Sequence, residues 1–191
     1  METKQSLRRQ FRAARDALPK DAQRDASKVI ADRLISLPAI QDASKWFIYV
    51  SAGSEPATQE LIRLLLARSQ VVAVPRVTDG TRMVAQPIRD LDELQVGAFG
   101  LLEPKPSDEV MQAIDVAVCP GVAFTEHGDR LGSGGGYYDR FLVANPPRIA
   151  IGLAFECQIA RSALPIDAYD RPMDFVITEQ RVLQRAARSS E

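Results

Sequence analysis

Histidine occurs once in this 191-residue chain, at position 127, cysteine twice, at 119 and 157, and tryptophan once. A single imidazole excludes a histidine-rich metal site, and a serine–histidine–aspartate triad could form only around His127. The two thiols lie in the apolar stretches Val116-Ala-Val-Cys119 and Leu153-Ala-Phe-Glu-Cys157, which read as buried cysteines of a reducing compartment, with a bridge between them left open. Charge of one sign is missing too. Lys plus Arg number 24 against 25 acidic residues, so nothing in the balance announces a nucleic-acid or membrane partner and any basic site is local. No apolar run approaches membrane-spanning length, and the opening Met1-Glu-Thr-Lys-Gln-Ser-Leu-Arg-Arg9 has no apolar signal core, so a cytoplasmic, monomeric protein is expected. A chain of this length is expected to form one domain over residues 1–191, burying roughly 70% of its unfolded surface.

Glycine is concentrated in one place. Arg130-Leu-Gly-Ser-Gly-Gly-Gly-Tyr-Tyr-Asp-Arg140 has glycine at four of the five positions from Gly132 to Gly136. Glycine is costly to order, so such a density marks a backbone that something approaches closely. Consecutive amides in a glycine turn form an anion-binding concavity, and the helix expected from Tyr137 onward adds free N–H groups and a positive dipole end. A phosphate is the natural guest. Asp139 falls in the first turn of that helix, where it could hold a magnesium ion bridging to phosphates, and Arg130 and Arg140 bracket the turn with charge. The segment is neither a Walker A loop, since no Lys-Ser or Lys-Thr follows, nor GxGxxG, and an ordinary surface loop is the alternative.

The rest of the chain alternates in period. Leu7, Phe11, Ala14 and Leu18 form an amphipathic stripe on a basic helix (residues 1–18) carrying Lys4, Arg8, Arg12 and Arg15 and stopped by Pro19. A second helix, capped by Asp21, carries Ala26, Ile30 and Leu34, and a third runs from Thr58 to Arg68. Trp46-Phe-Ile-Tyr-Val50, Val71–Val74, Asp115–Cys119, Arg148–Ala154 and Phe175–Thr178 are continuous apolar runs of the kind that form strands covered on both faces, and Met83–Pro87 is a more peripheral strand. A short helix is expected after Ser107, an irregular loop over Gly97–Pro104, and a frayed tail over 181–191. The alternation predicts an open α/β sheet, whose ligands bind beyond the strands' carboxyl ends. Glu55, in the loop after Val50, stands at such an end, as does the glycine turn. Phe99, between Gly97 and Gly100, is a ring platform or a core plug, and Asp174, in an acidic loop just before a strand, could add a second magnesium ligand.

Taken together, Pro120-Gly-Val-Ala-Phe124 followed by Gly128-Asp-Arg130-Leu-Gly-Ser-Gly-Gly-Gly-Tyr-Tyr-Asp139-Arg140 closely resembles the signature of the 5-formyltetrahydrofolate cyclo-ligases, also called 5,10-methenyltetrahydrofolate synthetases. Lys4-Gln-Ser-Leu-Arg8, Gly100-Leu-Leu-Glu103-Pro104 and Pro172-Met-Asp174-Phe-Val-Ile-Thr178 agree with further elements of that family, in order. The resemblance implies a three-layer α/β/α fold on an open, mostly parallel sheet, similar to the sugar-phosphate isomerase and CoA-transferase group, and ATP-dependent closure of 5-formyltetrahydrofolate to 5,10-methenyltetrahydrofolate with release of ADP and phosphate. It implies that Lys4, Arg8, Arg130, Leu131, Gly132, Ser133, Gly134, Gly135, Gly136, Tyr137 and Tyr138 bind ATP. It places Val50, Glu55, Phe99 and Tyr137 on the folate, and magnesium on Asp139 with Asp174. Departures are the neutral Ser133 and Gly135 where some relatives carry basic side chains, Thr125 where an Asp is common, and Tyr169 where a His is often seen. Two other readings stay open: a non-catalytic relative that uses the basic helix to bind nucleotide or nucleic acid, and an isomerase or transferase of similar fold.

Overall fold

The computed structural model describes residues 2–80, 82–97, 100–167 and 170–186. The apolar runs form strands β1 (Lys45–Ile48), β2 (Val71–Thr78), β6 (Val116–Cys119), β9 (Ile149–Leu153) and β10 (Phe175–Ile177). With β3 (Arg82–Ile88) and β11 (Val182–Gln184) they make a seven-stranded sheet in the order β11-β10-β9-β6-β1-β2-β3. The five central strands are mutually parallel, and the two edges are antiparallel. Pro87 lies in the edge strand β3, where its missing N–H breaks no inner ladder. Cys119 and Cys157 are both free.

Successive residues of each strand point to opposite faces, and the two faces differ in bulk. Trp46, Ile48, Val72, Val74, Val118, Ile151 and Ile177 face one layer, where α2 (Lys20–Ile35) and α3 (Gln59–Ala67) deliver Ile30, Leu34, Leu61, Ile62 and Leu65. The other face presents Phe47 among the small side chains Ala73, Ala85, Ala117, Cys119 and Ala150. Small strand residues let α4 (Tyr137–Ala144) approach closely, with Phe141 stacked 4.4 Å from Phe47. Three layers result. The remaining helix, α1 (Lys4–Asp16), buries Leu7 in a separate cluster with Ala123, Leu131, Ala160 and Leu164, with Phe11 half-buried beside it. Its apolar stripe therefore docks on the loops beyond the sheet's carboxyl edge rather than on the sheet. No helix among the described residues is long and apolar enough to cross a membrane.

Several expectations from the sequence need correction. The segment after Ser107 is not helical: Ala113 has φ of 54°, and the Met111 N–H bonds to the Ala85 carbonyl, which keeps the chain extended beside β3. Residues 94–104 are not wholly irregular, because β4 (Leu94–Val96) pairs with β5 (Leu102–Pro104). Helix α2 begins after Pro19 rather than being capped by Asp21. Val182–Gln184 do not fray but pair with β10; residues 187–191 lie outside the described residues.

Candidate active site

Strand β1 neighbours both β2 and β6, and the chain leaves it first toward β2 and later returns to its other side at β6. The order of strands therefore reverses between β1 and β6, and the loops leaving their carboxyl ends diverge there. A cavity of about 500 Å³ opens at that point, lined from one side by Tyr49, Val50 and Glu55 and from the other by Pro120 and the segment Arg130–Asp139.

The loop after β1 is held by its own polar groups. Tyr49 Oη donates to the Pro56 carbonyl at 2.7 Å, and Thr58 Oγ1 donates to the Tyr49 carbonyl at 2.7 Å while accepting from the Ser51 N–H. The loop folds back, Glu55 accepts the Ala52 N–H at 3.1 Å, and its carboxyl comes to lie in the cavity wall. Burial pushes the Glu55 carboxyl above its ordinary pKa, partly opposed by that N–H and by Arg15 and Arg12 of α1.

Beyond β6 the chain is built on close approach. Phe124 occupies the space of a Cβ at both Gly121 and Gly152, which would sit 2.4 Å from its ring. The hairpin β7 (Ala123–Phe124) and β8 (Arg130–Leu131) follows. Its turn is tied by Thr125, whose Oγ1 accepts from the N–H groups of His127 and Asp129 and pairs with Asp129 Oδ2. A threonine serves that purpose as an aspartate would, and it stands apart from the cavity wall.

The hairpin delivers the glycine turn. Gly134 and Gly136 take φ of 114° and 65°, conformations open to glycine and strained for other residues, and Gly136 is the N-cap of α4. Among the described residues, none of the amides from Gly132 to Gly136 donates to a protein acceptor. These N–H groups, at the start of a helix and on a cavity wall, are a ready anion cradle. Arg8 reaches across from α1, donating from Nε to the Gly132 carbonyl at 2.8 Å. A guanidinium from another helix thus lies against a turn whose own Ser133 and Gly135 are neutral.

Lys4, one helical turn before Arg8, also lines the cavity, and its Nζ pairs with Asp167 at 2.8 Å and Asp170 at 3.2 Å. Burial works against the ammonium, but the two aspartates outweigh it and raise its pKa. Sequence reasoning did not anticipate these partners, which come from more than 160 residues away. Their only signal was the acidity of the 167–174 loop.

Arg130, expected to hold phosphates together with the turn, lines the cavity from beneath it. Its side chain is 3% exposed beneath Gly132, with Nη2 on Asp139 Oδ1 at 2.5 Å and Nη1 on the Pro120 carbonyl at 3.2 Å. It fixes Asp139 and supplies positive potential from below the turn. Tyr138 Oη is buried and has no hydrogen-bond partner among the described residues, although its ring lies on the cavity wall; burial pushes this hydroxyl well above its ordinary pKa, so it stays a neutral donor. Tyr137 Oη donates to the Gly80 carbonyl at 2.6 Å, tying the turn to the tip of the β2–β3 hairpin.

Of the carboxylates considered for a metal, Asp139 alone reaches the cavity. Asp174 precedes β10, accepts the Ala150 N–H at 2.8 Å and is not part of the cavity wall. No cluster of three or more metal-ligating side chains exists among the described residues. The donor set is nevertheless of the kind magnesium uses in nucleotide sites, one carboxylate plus substrate phosphates rather than a protein cage. Val50, Glu55, Lys4, Arg8, Arg130, Leu131, the glycine turn, Tyr137, Tyr138 and Asp139 are brought together; Phe99 and Tyr169 lie outside the described residues. The cavity wall also includes Pro75, Val77, Met83, Leu101, Leu102 and Glu103 from the β2–β3 and β4–β5 hairpins, which sequence reasoning had not joined to the site.

Comparison with known proteins agrees with this geometry. Residues 1–179 match the model of the 5-formyltetrahydrofolate cyclo-ligase family. The Saccharomyces cerevisiae 5-formyltetrahydrofolate cyclo-ligase is 31% identical over 202 residues, covering 93% of this chain and 95% of the yeast protein. The Haemophilus influenzae enzyme of the same name is 30% identical over 177 residues, covering 89% and 94%. The NMR structure of Aquifex aeolicus 5,10-methenyltetrahydrofolate synthetase superposes with a TM-score of 0.85 at 32% identity, covering 98% of this chain and 96% of that one. The chain belongs to the 5-formyltetrahydrofolate cyclo-ligase family, a family of ligases.

Proposed function

We propose that this chain closes 5-formyltetrahydrofolate to 5,10-methenyltetrahydrofolate while ATP is converted to ADP and phosphate. The observation that carries the reading is the pairing, in one cavity, of unengaged glycine-turn amides and α1 cations with the half-buried carboxyl of Glu55. One end suits phosphates and the other suits a ring with N–H donors.

A formamide oxygen is a poor leaving group. In the proposed sequence this oxygen attacks the γ-phosphorus of ATP and ADP leaves. The folate's N10 then attacks the activated formyl carbon, the carbon–oxygen bond breaks with departure of phosphate, and N10 loses its proton. Phosphoryl transfer of this type asks the protein for alignment and for stabilisation of charge on the transferred group. The turn amides from Gly132 to Gly136 hold the phosphates, and Arg8 and Lys4 neutralise them from α1. Lys4 exchanges its aspartate partners for a phosphate when nucleotide enters. Asp139, oriented by Arg130, is the residue that would hold magnesium, which supplies charge neutralisation between the phosphates. Val50 packs on the folate, and Glu55 accepts hydrogen bonds from its pterin.

The test is the growth of methenyltetrahydrofolate absorbance when purified protein, ATP, magnesium and 5-formyltetrahydrofolate are mixed. The reading expects product only when all are present, with Asp139→Ala inactive. Folded protein that forms no product refutes it.

A further inference from the structure

Glu103 is a second carboxylate on the cavity wall to which the proposed mechanism gives no task. It is 9% exposed, and among the described residues no lysine or arginine pairs with it. Among the described residues its single protein donor is the Val77 N–H, at the long distance of 3.4 Å to Oε2. Its neighbours on the wall, Val77, Met83, Leu101 and Leu102, are apolar. The chain also makes room for it: a Cβ at Gly97 would lie 2.8 Å from both its Cδ and its Oε2. A carboxylate taken from water without a cation is costly unless hydrogen-bond donors meet it, and here the protein supplies one weak donor while the cavity lies open beside it.

We propose that Glu103 is a specificity-determining residue that accepts hydrogen bonds from the ring N–H groups of the folate. This rests on the cyclo-ligase reading of the same cavity. The charge distribution supports the assignment. Lys4 and Arg8 enter from α1 and the free amides from the β8–α4 turn, whereas Glu103 enters on the β4–β5 hairpin packed against β2. Asp139, Asp167 and Asp170 on the same wall are paired with Arg130 or Lys4, whereas Glu103 has no such cation among the described residues, and an unpaired carboxylate repels phosphate, so Glu103 marks the part of the cavity that excludes the nucleotide's tail. Apolar side chains around an acceptor suit a flat, donor-bearing ring. A reduced pterin carries N–H donors on more than one edge, so Glu55 and Glu103, arriving on different loops, can each meet one.

The competing role is structural, as an acceptor that pins the hairpin to Val77. Glu103→Gln separates the two, because an amide oxygen can still accept the Val77 N–H while the charge is lost. The expected result is a rise of roughly ten- to hundredfold in the KM for 5-formyltetrahydrofolate, and in its Kd measured by equilibrium binding without ATP. The KM for ATP and the melting temperature stay near wild type. A folate KM and Kd within about twofold of wild type overturn the proposal. So does an equal rise in the ATP KM, the pattern of a displaced hairpin. Wild-type protein that binds folate but forms no product defeats the cyclo-ligase reading alone, since the folate Kd values of the two proteins still decide the role of Glu103.

Discussion

Replacement of Arg130 by methionine tests whether the guanidinium beneath the glycine turn is an architectural cation. Arg130 is 3% exposed, holds Asp139 at 2.5 Å and the Pro120 carbonyl at 3.2 Å, and lies 5.7 Å from the Tyr138 ring centroid. Removing one member of a buried pair costs about 3–5 kcal/mol, chiefly because the survivor is left without a partner. Asp139 is 20% exposed and rehydrates in part, which lowers the cost to about 2–4 kcal/mol. For a chain of this size each kcal/mol moves the midpoint by about 2–4 °C, which gives a fall of roughly 5–15 °C. Urea denaturation followed by circular dichroism measures the loss directly. The double variant Arg130→Met/Asp139→Leu removes both charges. It is expected to be more stable than the two single losses added together would allow, by at least about 1.5 kcal/mol, because neither charge remains unpaired. Additive losses, or an Arg130→Met protein within about 1 kcal/mol of wild type, would show that the pair is not coupled and that Arg130 is free to serve phosphate.

Glu55→Gln should stabilise the ligand-free protein at neutral pH and impair folate turnover. Burial raises the Glu55 pKa, so the native state holds that proton more tightly than the unfolded chain; the resulting stability is complete below the ordinary carboxylate pKa and is lost as pH rises through the raised value. The melting-temperature advantage of the variant is therefore expected near pH 7.5 and gone near pH 4, and a pH-independent difference would contradict it. Asp115 behaves oppositely. Burial alone would raise its pKa, but the N–H groups of Ser44 and Lys45 and the Ser44 hydroxyl outweigh this and lower it. Asp115→Ala is expected to cost about 1–3 kcal/mol in urea at neutral pH, with the deficit closing as pH falls below about 4. Gly152→Ala drives a Cβ to 2.4 Å from the Phe124 ring inside the sheet and should cost about 1–3 kcal/mol by the same assay, while an unchanged midpoint would mean that the ring can yield.

The parallel core was legible because its strands are buried on both faces and so appear as unbroken apolar runs: Trp46–Val50, Val116–Cys119 and Phe175–Ile177 could hardly be anything else. Short hairpin and edge strands outside those apolar runs were not. Strands β7, β8 and β11 are too short to show a period, and their pairing depends on partners brought near by the rest of the fold. The segment after Ser107 misled because Val110 and Ile114 have helical spacing; in the structure Val110 is 38% exposed and Ile114 5%, so they share no face. At the site, the glycine turn announced itself by composition alone. What Lys4 and Arg130 touch could not be read, since Asp167, Asp170 and Pro120 become neighbours only through tertiary contacts.

The same topology sets what α1 can reach. Its buried residue Leu7 belongs to the cluster formed by the β7–β8 hairpin and the loop carrying Leu164, not to either face of the sheet. That docking places the side chains at positions 4 and 8, one turn apart, against the acidic loop and the glycine turn respectively. On the proposed ATP-binding reading, a phosphate arriving at the turn would meet Arg8 already seated on the Gly132 carbonyl, but would have to draw Lys4 from two carboxylates. The two cations would then be unequal partners for a nucleotide. Arg8 would keep its place in the turn, whereas Lys4 would change partners, so nucleotide affinity would include the free energy of parting that ammonium from Asp167 and Asp170.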